Sequence, residues 1–218
     1  LADIIDKVGL NFATQLPDIT VVAFARNKEE FERVVSQFNS QKYENKKLYV
    51  LIDTFDGYLD LYNKYNTSTV QTFVRSYMHN YLNIRDWIET PFVTYFGPNS
   101  LYGENYLLDL MLSTTFTDSD FIGKSSYFTA VGEEVKQQHQ GHEYEFNPFL
   151  SPERTIAKTN AYSNISLEEV FLMFEEEKDL SFYARFGKQF FSSDKFNYVY
   201  VKDCAEAELD SILKKVEL

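Results

Sequence analysis

Two short apolar runs, Ile19-Thr20-Val21-Val22-Ala23-Phe24-Ala25 and Leu48-Tyr49-Val50-Leu51-Ile52, bracket an amphipathic stretch at residues 28–39. This arrangement constrains the fold more than any other feature of the chain. Apolar, β-branched runs without alternation belong to strands buried on both faces, as in a parallel sheet. Phe31, Val34, Val35 and Phe38 share one helical face, and Asn27 is placed to cap it. Strand, helix and strand in this order make the unit of a right-handed parallel crossover.

The pattern continues. Residues 69–74 predict a third strand with a helix at 76–87 behind it, and residues 92–96 a fourth strand followed by a helix at 102–115. Residues 125–130 are strand-like, and the polar segment 132–144 reads as a loop or hairpin. Ser166-Leu167-Glu168-Glu169 matches a capping box and opens a helix to about Lys178. A turn and a strand follow at 190–201, and a charged amphipathic helix runs from Glu206. The expected organisation is a helical lead-in at 1–18, one α/β domain at 19–203 and a helix or linker at 204–218. The fold class is α/β, a mostly parallel central sheet flanked by helices.

Composition narrows the function. The net charge of −12 disfavours a nucleic-acid partner, which would need a basic face. One cysteine, Cys204, allows neither an internal disulfide nor a multi-cysteine zinc site, consistent with a reducing compartment. No apolar run reaches the roughly 18–20 residues that span a bilayer. The start, Leu1-Ala2-Asp3, has no basic region and no Met, so it reads as a piece of something longer rather than a signal peptide. The expected location is cytoplasmic, with peripheral attachment to the inner membrane face as a variant.

Ligands of open α/β folds bind past the carboxyl ends of the strands. Asp53 and Asp56 stand there after the second strand, either as acceptors for a base or ribose or as solvated carboxylates of an Asp-Gly turn. After the fourth strand the turn reads Gly97-Pro98-Asn99-Ser100, with no carboxylate before Glu104. Lys124 and Arg154 are cations suited to phosphate. Asp118-Ser119-Asp120 is an Asp-x-Asp triplet in what reads as a helix-to-strand turn, and His139 and His142 lie in a polar loop without a third ligand. The acidic run Glu175-Glu176-Glu177 reads as a solvated helix end.

In order along the chain, the segments 19–27, 34–38 and 48–53, then Tyr102-Gly103-Glu104-Asn105-Tyr106-Leu107-Leu108-Asp109, residues 120–127 with Gly123-Lys124, and the late motif at 191–199 resemble the GT-A nucleotide-sugar glycosyltransferases. The resemblance covers about residues 19–202 and is to the family 2-like branch, in its bacterial surface-polysaccharide subgroup. It implies a domain that binds a nucleotide sugar and transfers the sugar to a glycan acceptor. It also implies donor contacts at Ala25, Asp53, Asp56, Asn99 and Lys124, with Glu169 as the base that deprotonates the acceptor hydroxyl. In that family an Asp-x-Asp cluster follows the fourth strand and holds Mg²⁺ or Mn²⁺ against the diphosphate. Here Asn99 and Ser100 stand in its place, so no metal ligands are assigned. The alternative is a catalytically silent GT-A-like binding or scaffolding module within a larger glycan-assembling protein.

Overall fold

The computed structural model describes residues 16–132, 134–146, 149–202 and 209–216. Of the helical lead-in expected at 1–18, residues 1–15 lie outside them. The order is β1 (Ile19–Ala25), α1 (Lys28–Ser40), β2 (Lys46–Ile52), α2 (Tyr58–Tyr65), β3 (Val70–Val74) and a 3-10 turn (Arg75–Asn80). Then come α3 (Ile84–Trp87), β4 (Phe92–Phe96), β5 (Ser100–Tyr102), α4 (Tyr106–Ser113), β6 (Phe121–Gly123), β7 (Tyr127–Val131) and β8 (Glu134–Gln138). The chain closes through β9 (Thr155–Lys158), α5 (Leu167–Glu175), β10 (Phe190–Ser192), β11 (Tyr198–Lys202) and α6 (Leu209–Lys214).

Seven strands form the main sheet in the order β10-β6-β9-β4-β1-β2-β3, and only β9 runs against the others. A smaller sheet, β5-β11-β7-β8, stands beyond the end of β4. The apolar runs explain the main sheet. Val21 and Ala23 of β1 pack under α1, α2 and α4, while Val22 faces the layer of α3 and α5. Both faces of the strand are therefore dry, as the unbroken apolar pattern requires. Asn27 caps α1 by accepting the Glu30 N–H at 2.9 Å. Ile212 of α6 and Val216 just after it pack against the small sheet.

Two helices expected from the sequence are shorter than predicted. The stretch at 76–87 breaks after the 3-10 turn because Asn83 starts α3 with its own capping box, closed by Asp86. The stretch at 102–115 begins helically only at Tyr106, because residues 100–102 pair with β11. Gly103 makes that pairing feasible: a Cβ there would stand 2.6 Å from Asn197 Oδ1.

Candidate functional site

The carboxyl ends of β1, β2, β3 and β4 share one rim, and α5 runs back toward it. Strand β9 carries the chain away from the rim, and Thr159 just after it donates its N–H to Pro91 O, before β4. Helix α5 therefore starts at the far edge of the sheet and delivers its last residues to the rim. There Glu175 binds the guanidinium of Arg75, which follows β3. The pair raises the Arg75 pKa, Asp53 adds to the same field, and the guanidinium lies 5.3 Å from the centre of the Phe24 ring.

Beside this pair the end of β4 is locked in place. Gly97 donates its N–H to Tyr102 Oη at 2.8 Å, and the same hydroxyl donates to Glu153 O at 2.8 Å. The Tyr102 ring stacks on Phe96 with 3.8 Å between centroids. Helix α1 holds the other side, with Arg33 donating to Pro98 O at 2.8 Å. Two carboxylates crowd the turn. A Cβ built on Gly97 would lie 3.1 Å from Glu153 Cβ and 3.6 Å from Glu177 Oε1. Glycine is favoured here by close approach, not by its φ angle.

Glu153 is only 2% exposed. One of its oxygens is bonded by Ser151 and Arg154, and Oε2 has no partner. Arg154 donates Nε–H to Lys124 O at 2.8 Å and lies 4.3 Å over the Tyr127 ring. Glu177 is half-buried, and burial, with Glu153 repelling it and Arg154 only partly offsetting this, pushes its pKa up to about 7. Its backbone has φ +48°. It occupies the left-handed position after a helix where glycine is usual, with the two bonds of a Schellman end, Glu177 N–H to Phe174 O and Lys178 N–H to Met173 O. A strained, half-buried carboxylate with a raised pKa is a mark of a functional position. Tyr127, His139 and Tyr200 complete a cavity of about 330 Å³ over these groups.

The sequence-derived candidates divide. Asp53 is exposed on the rim, close enough to Arg26 and Arg75 to act on both. Ala25 is buried at the end of β1, and Asn99 is exposed at the mouth beside Tyr200. Asp56 is exposed in the turn before Gly57, apart from these groups. Lys124 reaches the same edge but is fully buried: its ammonium bonds Asp194 Oδ1 at 2.7 Å. Asp109, held by Asn197 Nδ2 at 2.7 Å, joins the cluster, and burial lifts its pKa to about 6 although Lys124 opposes the rise. The motif residues Asp109, Lys124, Asp194 and Asn197 thus converge on one buried polar network that ties the small sheet to the main one.

Glu169 is not brought to the cavity. It lies in the first turn of α5, about 9 Å along the axis from Glu175. Its carboxylate closes the capping box, accepting the Ser166 N–H at 2.8 Å and hydroxyl at 2.9 Å, and these bonds lower its pKa. Glu177, read from sequence as part of a solvated end, is the carboxylate the structure does bring there. The signal that could have found it is the local one: an acidic residue at the position after a helix where glycine is expected. Asp118 and Asp120 sit at the opposite edge, bonded to Lys158 and Lys188. His142 pairs with Glu145. Among the described residues no group of three or more His, Cys, Asp or Glu is arranged to hold a metal ion.

No protein-family model and no curated protein sequence matches the chain. Solved structures do match. The S. aureus TarS 1-349 structure with UDP-GlcNAc superposes with TM-score 0.58 at 15% identity, over 91% of this chain and 71% of TarS 1-349. PcManGT, a mannosyltransferase from Pyrobaculum calidifontis in complex with GDP-Man and Mn²⁺, gives TM-score 0.56 at 13% identity, over 91% of this chain and 60% of that one. The fold is that of the GT-A glycosyltransferases. Among the described residues no helix is long and apolar enough to cross a membrane.

Proposed function

We propose that the chain is a glycosyltransferase domain that binds a nucleotide sugar at the β1–β4 rim and transfers the sugar to a growing bacterial surface glycan on the cytoplasmic side. The observation that carries this reading is the cavity past β4, where Glu177, Glu153 and Arg154 meet over Gly97. Asp53 would accept bonds from the base or ribose, and Asn99 would contact the donor at the mouth. Glu177, with its pKa near 7, would take the proton of the acceptor hydroxyl as that oxygen attacks the anomeric carbon. The nucleoside diphosphate leaves, its charge offset by Arg75 and Arg154.

Glu153 Oε2, a hard oxygen donor without a partner, would be the group to hold a Mg²⁺ or Mn²⁺, which leaves Glu177 to act as the base. Bound there, the ion would neutralise diphosphate charge. The carboxylate-free turn at 97–100 favours a second reading, a module that binds the donor and does not turn it over.

Calorimetry with UDP and GDP, with and without Mn²⁺, tests the donor site, and hydrolysis of the corresponding nucleotide sugars tests the chemistry. Binding and turnover that Glu177→Gln abolishes support transfer. Binding without turnover assigns the module reading, and no heat with either nucleotide refutes both.

A further inference from the structure

A second cavity lies at the outer edge of the main sheet, where β3 runs up to the rim. It measures about 570 Å³, within the range of small-molecule sites. Strand β3 ends the sheet and forms its floor, while α2 and the 3-10 turn rise as walls on either side. In a chain with net charge −12, none of the residues lining it is charged. Tyr58, Tyr62, Tyr77 and Tyr81 present aromatic surface, and Asn66 and Gln71 add side-chain amides. Tyr62 and Tyr77 are 37% and 66% exposed, so two rings stand open at the lips.

On the floor, Thr72 is 3% exposed and its hydroxyl has no hydrogen-bond partner. A buried hydroxyl left unbonded costs stability. Thr72 also lines the cavity, so its hydroxyl is a candidate partner for an entering ligand.

We infer that this cavity is a binding site for a neutral oligosaccharide, distinct from the cavity over Gly97, with which it shares no lining residue. Sugar rings present an apolar face of C–H groups and an equator of hydroxyls. The first packs on tyrosine rings, and the second is read by amides and hydroxyls that both donate and accept. The absence of charge on the lining matches a neutral ligand and not a phosphate, a nucleotide or an acidic peptide.

The test is saturation-transfer NMR with neutral trisaccharides of glucose, mannose and N-acetylglucosamine, without nucleotide. One of them should bind. Tyr62→Ala and Tyr77→Ala, both at exposed positions, should each weaken binding about tenfold. Thr72→Val should weaken binding yet raise the melting temperature of the free protein, which a purely structural hydroxyl would not do. Glu177→Gln should leave sugar binding unchanged, so failure of the rim reading and of this one are distinguishable. The inference is overturned if no trisaccharide binds at millimolar concentration or if the tyrosine variants bind as the parent does. It is equally overturned if those variants instead abolish self-association in sedimentation, since the edge would then be a protein interface.

Discussion

Glu177→Gln keeps the size of the side chain and removes its ionisation, so it isolates the electrostatic cost of this carboxylate. The folded protein holds the Glu177 proton to about pH 7, against 4.5 for an ordinary glutamate. Below pH 4.5 the residue is protonated in both folded and unfolded chains and costs nothing. As pH rises through the window between the two values, the unfolded chain releases the proton first. Stability is therefore lost across that window, and the cost is complete above about pH 7. A shift of this size corresponds to at most about 3.4 kcal/mol. Glu177 is half-buried, and solvent screening reduces this to about 1–1.5 kcal/mol.

Urea denaturation of parent and variant, each at about pH 3 and at about pH 8, reads the effect as a difference of differences. All other titrating groups cancel. The variant should equal the parent at the acid pH and exceed it by about 1–1.5 kcal/mol at the alkaline one. A gap of the same size at both pH values, or a parent more stable at pH 8, would refute the placement of Glu177 against Glu153. The same variant loses turnover if the proposed base is right, so stability and activity should move in opposite directions.

Four further variants probe other parts of the molecule. Lys124→Met leaves Asp194 and Asp109 without their buried cation and should cost about 3–5 kcal/mol in chemical denaturation; nucleotide affinity lost without that destabilisation would restore a donor role to Lys124. Gly97→Ala places a methyl 3.1 Å from Glu153 Cβ and should destabilise by about 1–2 kcal/mol, measured by the same urea titration. Ser166→Ala removes the cap of α5 and should cost about 1 kcal/mol, while Glu169→Gln should leave nucleotide-sugar turnover intact in a coupled assay.

Residues 19–52 show why part of this fold is readable directly. Unbroken apolar runs demand burial on both faces, and Asn27 announces a helix start through a bond only three residues long. The capping box at Ser166 is equally local. Where reading failed, a distant partner had intervened. Tyr102 looked helical until β11 paired with it, and Lys124 looked like a phosphate ligand until the fold brought Asp194 and Asp109 around its ammonium.

The two glutamates of α5 and its end draw the boundary most sharply. Sequence alone determined that Glu169 belongs to a helix start, because the cap lies within three residues. It could not determine which end of that helix faces the rim at the carboxyl ends of the strands. That depends on β9 running antiparallel to its neighbours, a direction set by pairing with β4 and β6 across long intervals of chain. Once the direction is fixed, Glu169 lies at the far edge and Glu177 stands over Gly97. The amino-acid sequence specifies local burial and backbone geometry, and the tertiary structure decides which charges share a cavity, because their repulsion depends on distance through space.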